Sequence, residues 1–187
     1  MGRIRKPRSS PSLAGSTRSV RPERFLAIFA LSVAVAFGLL LAPFIRPSVD
    51  LFSRALVQAS GLLIGLAGGH VLIDGTILRA SATGFAIQMK DGCNGVNVMI
   101  LLWSAVLAFP ASWIWKAKGL FVGTIAIQGL NFIRFVSLFY LGQYSMTLFE
   151  FAHAYLWESL IMLDALVVFW LWAAMVFRGA PVRDALH

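Results

Sequence analysis

Phe25–Phe44 is a run of 20 residues without a single charge. As a helix, rising about 1.5 Å per residue, it matches the roughly 30 Å hydrocarbon core of a bilayer. Pro43 and Pro47 close it. The rest of the chain is of the same kind: 59% of its 187 residues are apolar and 13% are charged. A soluble domain carries about 45–50% apolar and about 25% charged residues. A chain of this length cannot hide that excess from water, and its hydrophobicity excludes disorder throughout. The bilayer is the solvent that fits.

Three further runs read as spans. One starts near Asn94 and stops at Phe109, ahead of Pro110; one runs from Gly119 to Leu141 with Arg134 inside; one runs from His153 to Phe177 with Glu158 and Asp164 inside. Leu51–Ile73 is ambiguous. It holds Arg54, Gln58, Ser60 and His70 among several glycines, and reads either as a span or as an interfacial or re-entrant helix. After it, Val71–Ile73, Asp74-Gly75 and Thr76–Leu78 carry a hairpin signal, and Phe85–Met89 alternates like a strand. The expected fold is therefore an all-α polytopic membrane protein. It has about four transmembrane helices, an interfacial or re-entrant helix, and a small extracytoplasmic β element.

The net charge of +8 suggests nucleic acid or an anionic membrane face. Its distribution favours the membrane. Arg3, Arg5, Lys6, Arg8, Arg18, Arg21 and Arg24 stand in a Ser- and Pro-rich segment with no aromatic residue to stack on bases. Residues 1–24 thus read as a disordered cytoplasmic tail, and 25–187 as the integral membrane domain. With four spans and the tail inside, 11 of the 16 basic residues lie on the cytoplasmic side. A fifth span over Leu51–Ile73 would weaken that bias. Membrane lipid is an expected partner and nucleic acid is not.

Three residues carry candidate chemistry. Cys93, the only cysteine, excludes an intramolecular disulfide and sits in Asp91-Gly-Cys-Asn-Gly95 at a helix start. There the unpaired N–H groups favour thiolate, although a lone cysteine is more often inert. Arg134 lies within a span, roughly 22 Å along it from Gly119 by helical rise, which makes it a functional candidate by default. Its rival role is structural pairing with Glu158. Asn131 is one turn earlier on the same face. His153 opens the last span. In the four-span arrangement all three reach the same, outer, membrane face. Thiol and imidazole are a nucleophile–base pair, and a guanidinium beside them can hold an oxyanion. Asp164 is a lone intramembrane carboxylate that could meet Gln128. There is no HExxH and no ligand spacing around His70 or His187, so neither metal nor cofactor is expected. A non-enzymatic membrane adaptor, with the polar groups as helix glue, is the alternative.

Gly92-Cys-Asn-Gly95, Asn131-Phe-Ile-Arg134 and His153, in this order, resemble the exosortase/archaeosortase family, most closely the exosortase H subgroup. The resemblance covers roughly residues 70–172. It implies a sortase-like cysteine peptidase or transpeptidase of the bacterial inner membrane, with its N-terminus cytoplasmic and its active site facing the periplasm. Its partners would be exported proteins ending in a recognition motif, a hydrophobic helix and a basic tail. Cys93 matches the family's nucleophile, Arg134 its essential arginine and His153 its histidine; Asn94, Gly95, Asn131 and Glu158 are expected beside them as substrate-binding or supporting residues. Two positions depart from the pattern: Asn94 stands where serine is common, and Trp157 where a glycine often follows the histidine.

Overall fold

A computed structural model describes residues 22–179. Residues 1–21, most of the expected basic tail, lie outside the described residues. The elements are α1 (Pro22–Leu40), α2 (Arg46–Leu66), β1 (Val71–Asp74), β2 (Ile77–Ala80), β3 (Ala86–Gln88), α3 (Val96–Ala108), α4 (Trp113–Tyr144), α5 (Met146–Phe151), a π-helical turn (Ala152–Leu156) and α6 (Trp157–Gly179). Four stretches are long and apolar enough to cross a membrane: Pro22–Leu40, Arg46–Leu66, Trp113–Tyr144 and Met146–Arg178. The chain is an all-α polytopic membrane protein with one small sheet.

Two details differ from the expected spans. The ambiguous segment forms α2, which starts at Arg46 and is one of the four long helices. The expected second span yields α3, only 13 residues long, or about 20 Å by helical rise. Its first residues are taken up by a loop, because Gly92 and Gly95 both hold positive φ.

Long α4 organises the molecule, with a hydrophobic cluster on each half. Along the Trp113 half, Val98, Leu102 and Val106 of α3 pack with Ile127 of α4 and Ile161 and Trp172 of α6, and Phe25 of α1 packs against them. Along the Tyr144 half, Val57 and Ile64 of α2, Leu78 and Ile87 of the sheet, and Phe135, Leu138 and Phe139 of α4 form the second cluster, closed by Ala152 and Trp157. The outward faces remain apolar: Leu31 and Val35 of α1, Phe121 and Ile125 of α4, and Leu166 and Trp170 of α6 are exposed. Such faces are stable only against lipid or another apolar surface.

The sheet is antiparallel with order β1-β2-β3. The hairpin pairs Asp74 with Ile77 across Gly75-Thr76, and Gly75 supplies the positive φ the turn needs (59°).

α6 runs back along α4. Trp172 Nε1 donates to the Trp115 carbonyl (2.9 Å), and its ring lies where a side chain on Gly119 would be. Gly119→Val should therefore force the two helices apart and destabilise the fold by about 1–3 kcal/mol. Thermal unfolding in detergent measures this, and an unchanged midpoint would contradict that close approach.

Candidate active site

The site lies against the cluster on the Tyr144 half of α4, whose Ile87, Phe135 and Leu138 line it. The chain enters α3 through a turn fixed by two glycines, Gly92 (φ 89°) and Gly95 (φ 77°). Gly95 is the N-cap of α3. A Cβ there would be strained by the backbone and would meet Gln128 Nε2 at 2.9 Å. Asn94, 1% exposed, ties the turn to three elements. Its Nδ2 donates to Ser53 Oγ on α2 (3.1 Å), its Oδ1 accepts from the Val96 N–H (3.1 Å), and its carbonyl accepts from Gln128 Nε2 on α4 (3.2 Å). Cys93 is held between these anchors, half-buried, with its N–H donating to the Lys90 carbonyl (3.0 Å).

Arg134 is buried on α4, one turn beyond Asn131. Its Nη2 lies 3.4 Å from His153 Nδ1. A guanidinium has donors only, so in this contact Nδ1 offers its lone pair and the ring proton sits on Nε2. The π-helical turn carries His153; an extra residue in a helical turn re-aims side chains, and such turns are frequent at functional sites. Phe149 stacks on the imidazole (centroids 5.7 Å, planes 13° apart) and limits its rotation.

Cys93, Arg134 and His153 line one cleft of about 240 Å³, with Gln88, Lys90 and Phe149 on its walls. The structure thus brings together all three residues singled out in the sequence. Asn94 and Gly95 belong to the turn that carries Cys93, and Asn131 lies against it at Gly95. Glu158 does not join them: it is exposed and forms no ion pair with Arg134. The π turn alters the phase of the helix between His153 and Glu158. No hydrogen bond joins Asp164 to Gln128, whose Nε2 donates to the Asn94 carbonyl and to Met99 Sδ. Trp157, at one of the two departures, fills the second cluster (8% exposed).

Gln88, Lys90, Phe149 and Ser53 escaped the sequence reading. Their roles come from contacts between distant segments, such as Asn94 with Ser53, 41 residues earlier.

A family model described as transmembrane exosortase, Exosortase_EpsH, matches residues 9–177. The chain belongs to this family. The exosortase match spans every residue of the cleft. No match is found among curated proteins or among solved structures.

Asn131 is the least economical residue of this exosortase site. It is 1% exposed, and among the described residues neither its Oδ1 nor its Nδ2 has a hydrogen-bond partner. Burying an unpaired amide is destabilising, and an apolar residue of similar size removes the penalty. Asn131→Leu is therefore expected to leave the unfolding midpoint unchanged or raised while lowering substrate processing about tenfold or more. A lowered midpoint with normal processing would assign Asn131 to packing alone.

Proposed function

We propose that this exosortase-family protein is a sortase-like cysteine peptidase or transpeptidase that cleaves the C-terminal sorting signals of exported proteins. The observation that carries the reading is the convergence of Cys93, Arg134 and His153 on one cleft, with the guanidinium against the imidazole. Its substrates are exported proteins ending in a recognition motif, a hydrophobic helix and a basic tail.

The cleft faces the periplasm, with the chain in the bacterial inner membrane and its N-terminus cytoplasmic. Lys116 lies over the Trp113 ring and Lys118 over the Trp115 ring, each 5.1 Å from the centroid. Aromatic and basic residues of this kind mark a membrane interface, here the cytoplasmic one. From Trp115 to Arg134 the helical rise is roughly 28 Å, close to the hydrocarbon thickness. On this reading the cleft lies near the opposite face, and the Tyr144 end of α4 extends beyond it.

The chemistry follows from the three groups. Cys93 loses its proton to His153 and its sulfur attacks the scissile carbonyl. The developing oxyanion is met by N–H groups of Arg134. The lone pair on His153 Nδ1 is engaged by Arg134 before substrate arrives. Entry of the carbonyl draws the guanidinium to its oxygen and releases the base. As the C–N bond breaks, the imidazolium gives its proton to the leaving amine, and the acyl group stays on sulfur as a thioester. Water or an acceptor amine then attacks the thioester, with His153 taking the proton and the thiolate leaving.

The test is a reporter precursor carrying such a three-part signal, reconstituted with the protein in vesicles. Cleavage on the N-terminal side of the apolar helix is expected. Binding of the precursor without cleavage would make the protein an adaptor.

A further inference from the structure

We propose that the free edge of β3 takes the substrate as an added strand and lays it along the wall of the cleft beside Cys93. The inference rests on the peptidase reading and says how the substrate is held.

Among the described residues β3 is an edge strand, paired only to β2. Ala80 N–H donates to the Phe85 carbonyl (2.8 Å) and Met89 N–H to the Thr76 carbonyl (2.9 Å). The register pairs Leu78 with Ile87, between Arg79–Ala86 and Ile77–Gln88. Hydrogen-bonded pairs alternate along an antiparallel ladder. Phe85, Ile87 and Met89 therefore turn their backbone groups towards β2, and Ala86 and Gln88 turn theirs away. Ala86 and Gln88 are also the exposed residues of the strand. Both line the cleft that holds Cys93, with Phe135 and Leu138 of α4 in the same lining.

An uncovered strand edge is a template for another chain, and natural sheets normally blunt or cover it. Here it borders a nucleophile. The occupant whose donors and acceptors repeat at the spacing of Ala86 and Gln88 is an extended peptide. That occupant is the recognition segment of the substrate, N-terminal to its apolar helix. Among the described residues the cleft lining carries Lys90 and Arg134 and no carboxylate, so the segment that fits has no Lys or Arg where it faces them. Main-chain pairing fixes the direction and register of the segment, which is what presentation of one particular carbonyl to Cys93 requires.

The test places a photo-activated benzophenone side chain at position 88 of Cys93→Ala protein in membranes with the reporter precursor. The expected adduct joins position 88 to precursor residues before the apolar helix. An adduct only to that helix, an adduct to a second copy of this chain, or no adduct overturns the proposal. A second measurement compares Gln88→Pro with Gln88→Ala in the presence of Cys93. Proline removes the outward N–H and leaves the Ile87–Leu78 bonds, as edge positions tolerate. The kcat/KM for the precursor should be at least tenfold lower for proline than for alanine, with equal rates of Cys93 alkylation by N-ethylmaleimide reporting an intact cleft. Equal kcat/KM values overturn the proposal. Cutting by the wild type without the adduct defeats strand addition alone, whereas the adduct without any cutting defeats the peptidase reading and leaves strand addition standing.

Discussion

Cys93→Ala protein is expected to insert and fold normally and to leave the precursor uncut, a loss of at least about 10³-fold in turnover. The effect is large because the sulfur is the atom that becomes acylated, and no other thiol exists in the chain to replace it. The fold should survive because the turn is held by its neighbours. Asn94 supplies the bonds to Ser53, Val96 and Gln128, and Gly92 and Gly95 supply the backbone conformation. Cys93 itself contributes only its backbone N–H, which alanine keeps. Precursor processing and thermal unfolding, measured on the same preparation, separate the two effects. Processing at the wild-type rate would remove Cys93 from the chemistry.

Arg134→Met is expected to abolish processing with little or no loss of stability. One missing donor to an oxyanion slows acyl transfer by about 10²–10³-fold. The stability expectation separates a catalytic arginine from helix glue. Among the described residues Arg134 pairs with no carboxylate, and its side-chain contact is the 3.4 Å approach to His153. Removing it strands no buried anion. An arginine within a span costs several kcal/mol on insertion scales, and methionine relieves that cost. Arg134→Lys keeps the charge and loses the planar fork, so it should fall between wild type and Arg134→Met in kcat. If Arg134→Met instead lowered the unfolding midpoint sharply, the guanidinium would be holding helices together, as an adaptor would need.

Much of this fold could be read from local pattern. The uncharged run at Phe25, the stop before Pro110, and the Asp74-Gly75 hairpin all reappear as elements, because apolar length, proline and turn glycine act on their own neighbourhood. The order Cys93, Arg134, His153 could likewise be read, since each stands at a distinctive place in the hydropathy pattern. Other features could not. Glycines and polar residues blurred α2, whose buried Ser53 and Ser60 give their hydroxyl protons to carbonyls four residues earlier. The shortness of α3 depends on backbone angles at Gly92 and Gly95. The π turn that carries His153 leaves no mark in composition. The β3 edge became part of the cleft only through packing against a helix about 50 residues later.

The central claim is that Cys93 forms a covalent acyl intermediate with the substrate. Rapid quenching in acid during turnover of the reporter precursor, followed by mass measurement of the intact protein and its peptides, tests it directly. The predicted result is an adduct confined to the Cys93 peptide. Its mass is that of the N-terminal product less one water, and hydroxylamine removes it. Cleavage of the precursor with no such adduct, or with the adduct on another residue, would contradict the account.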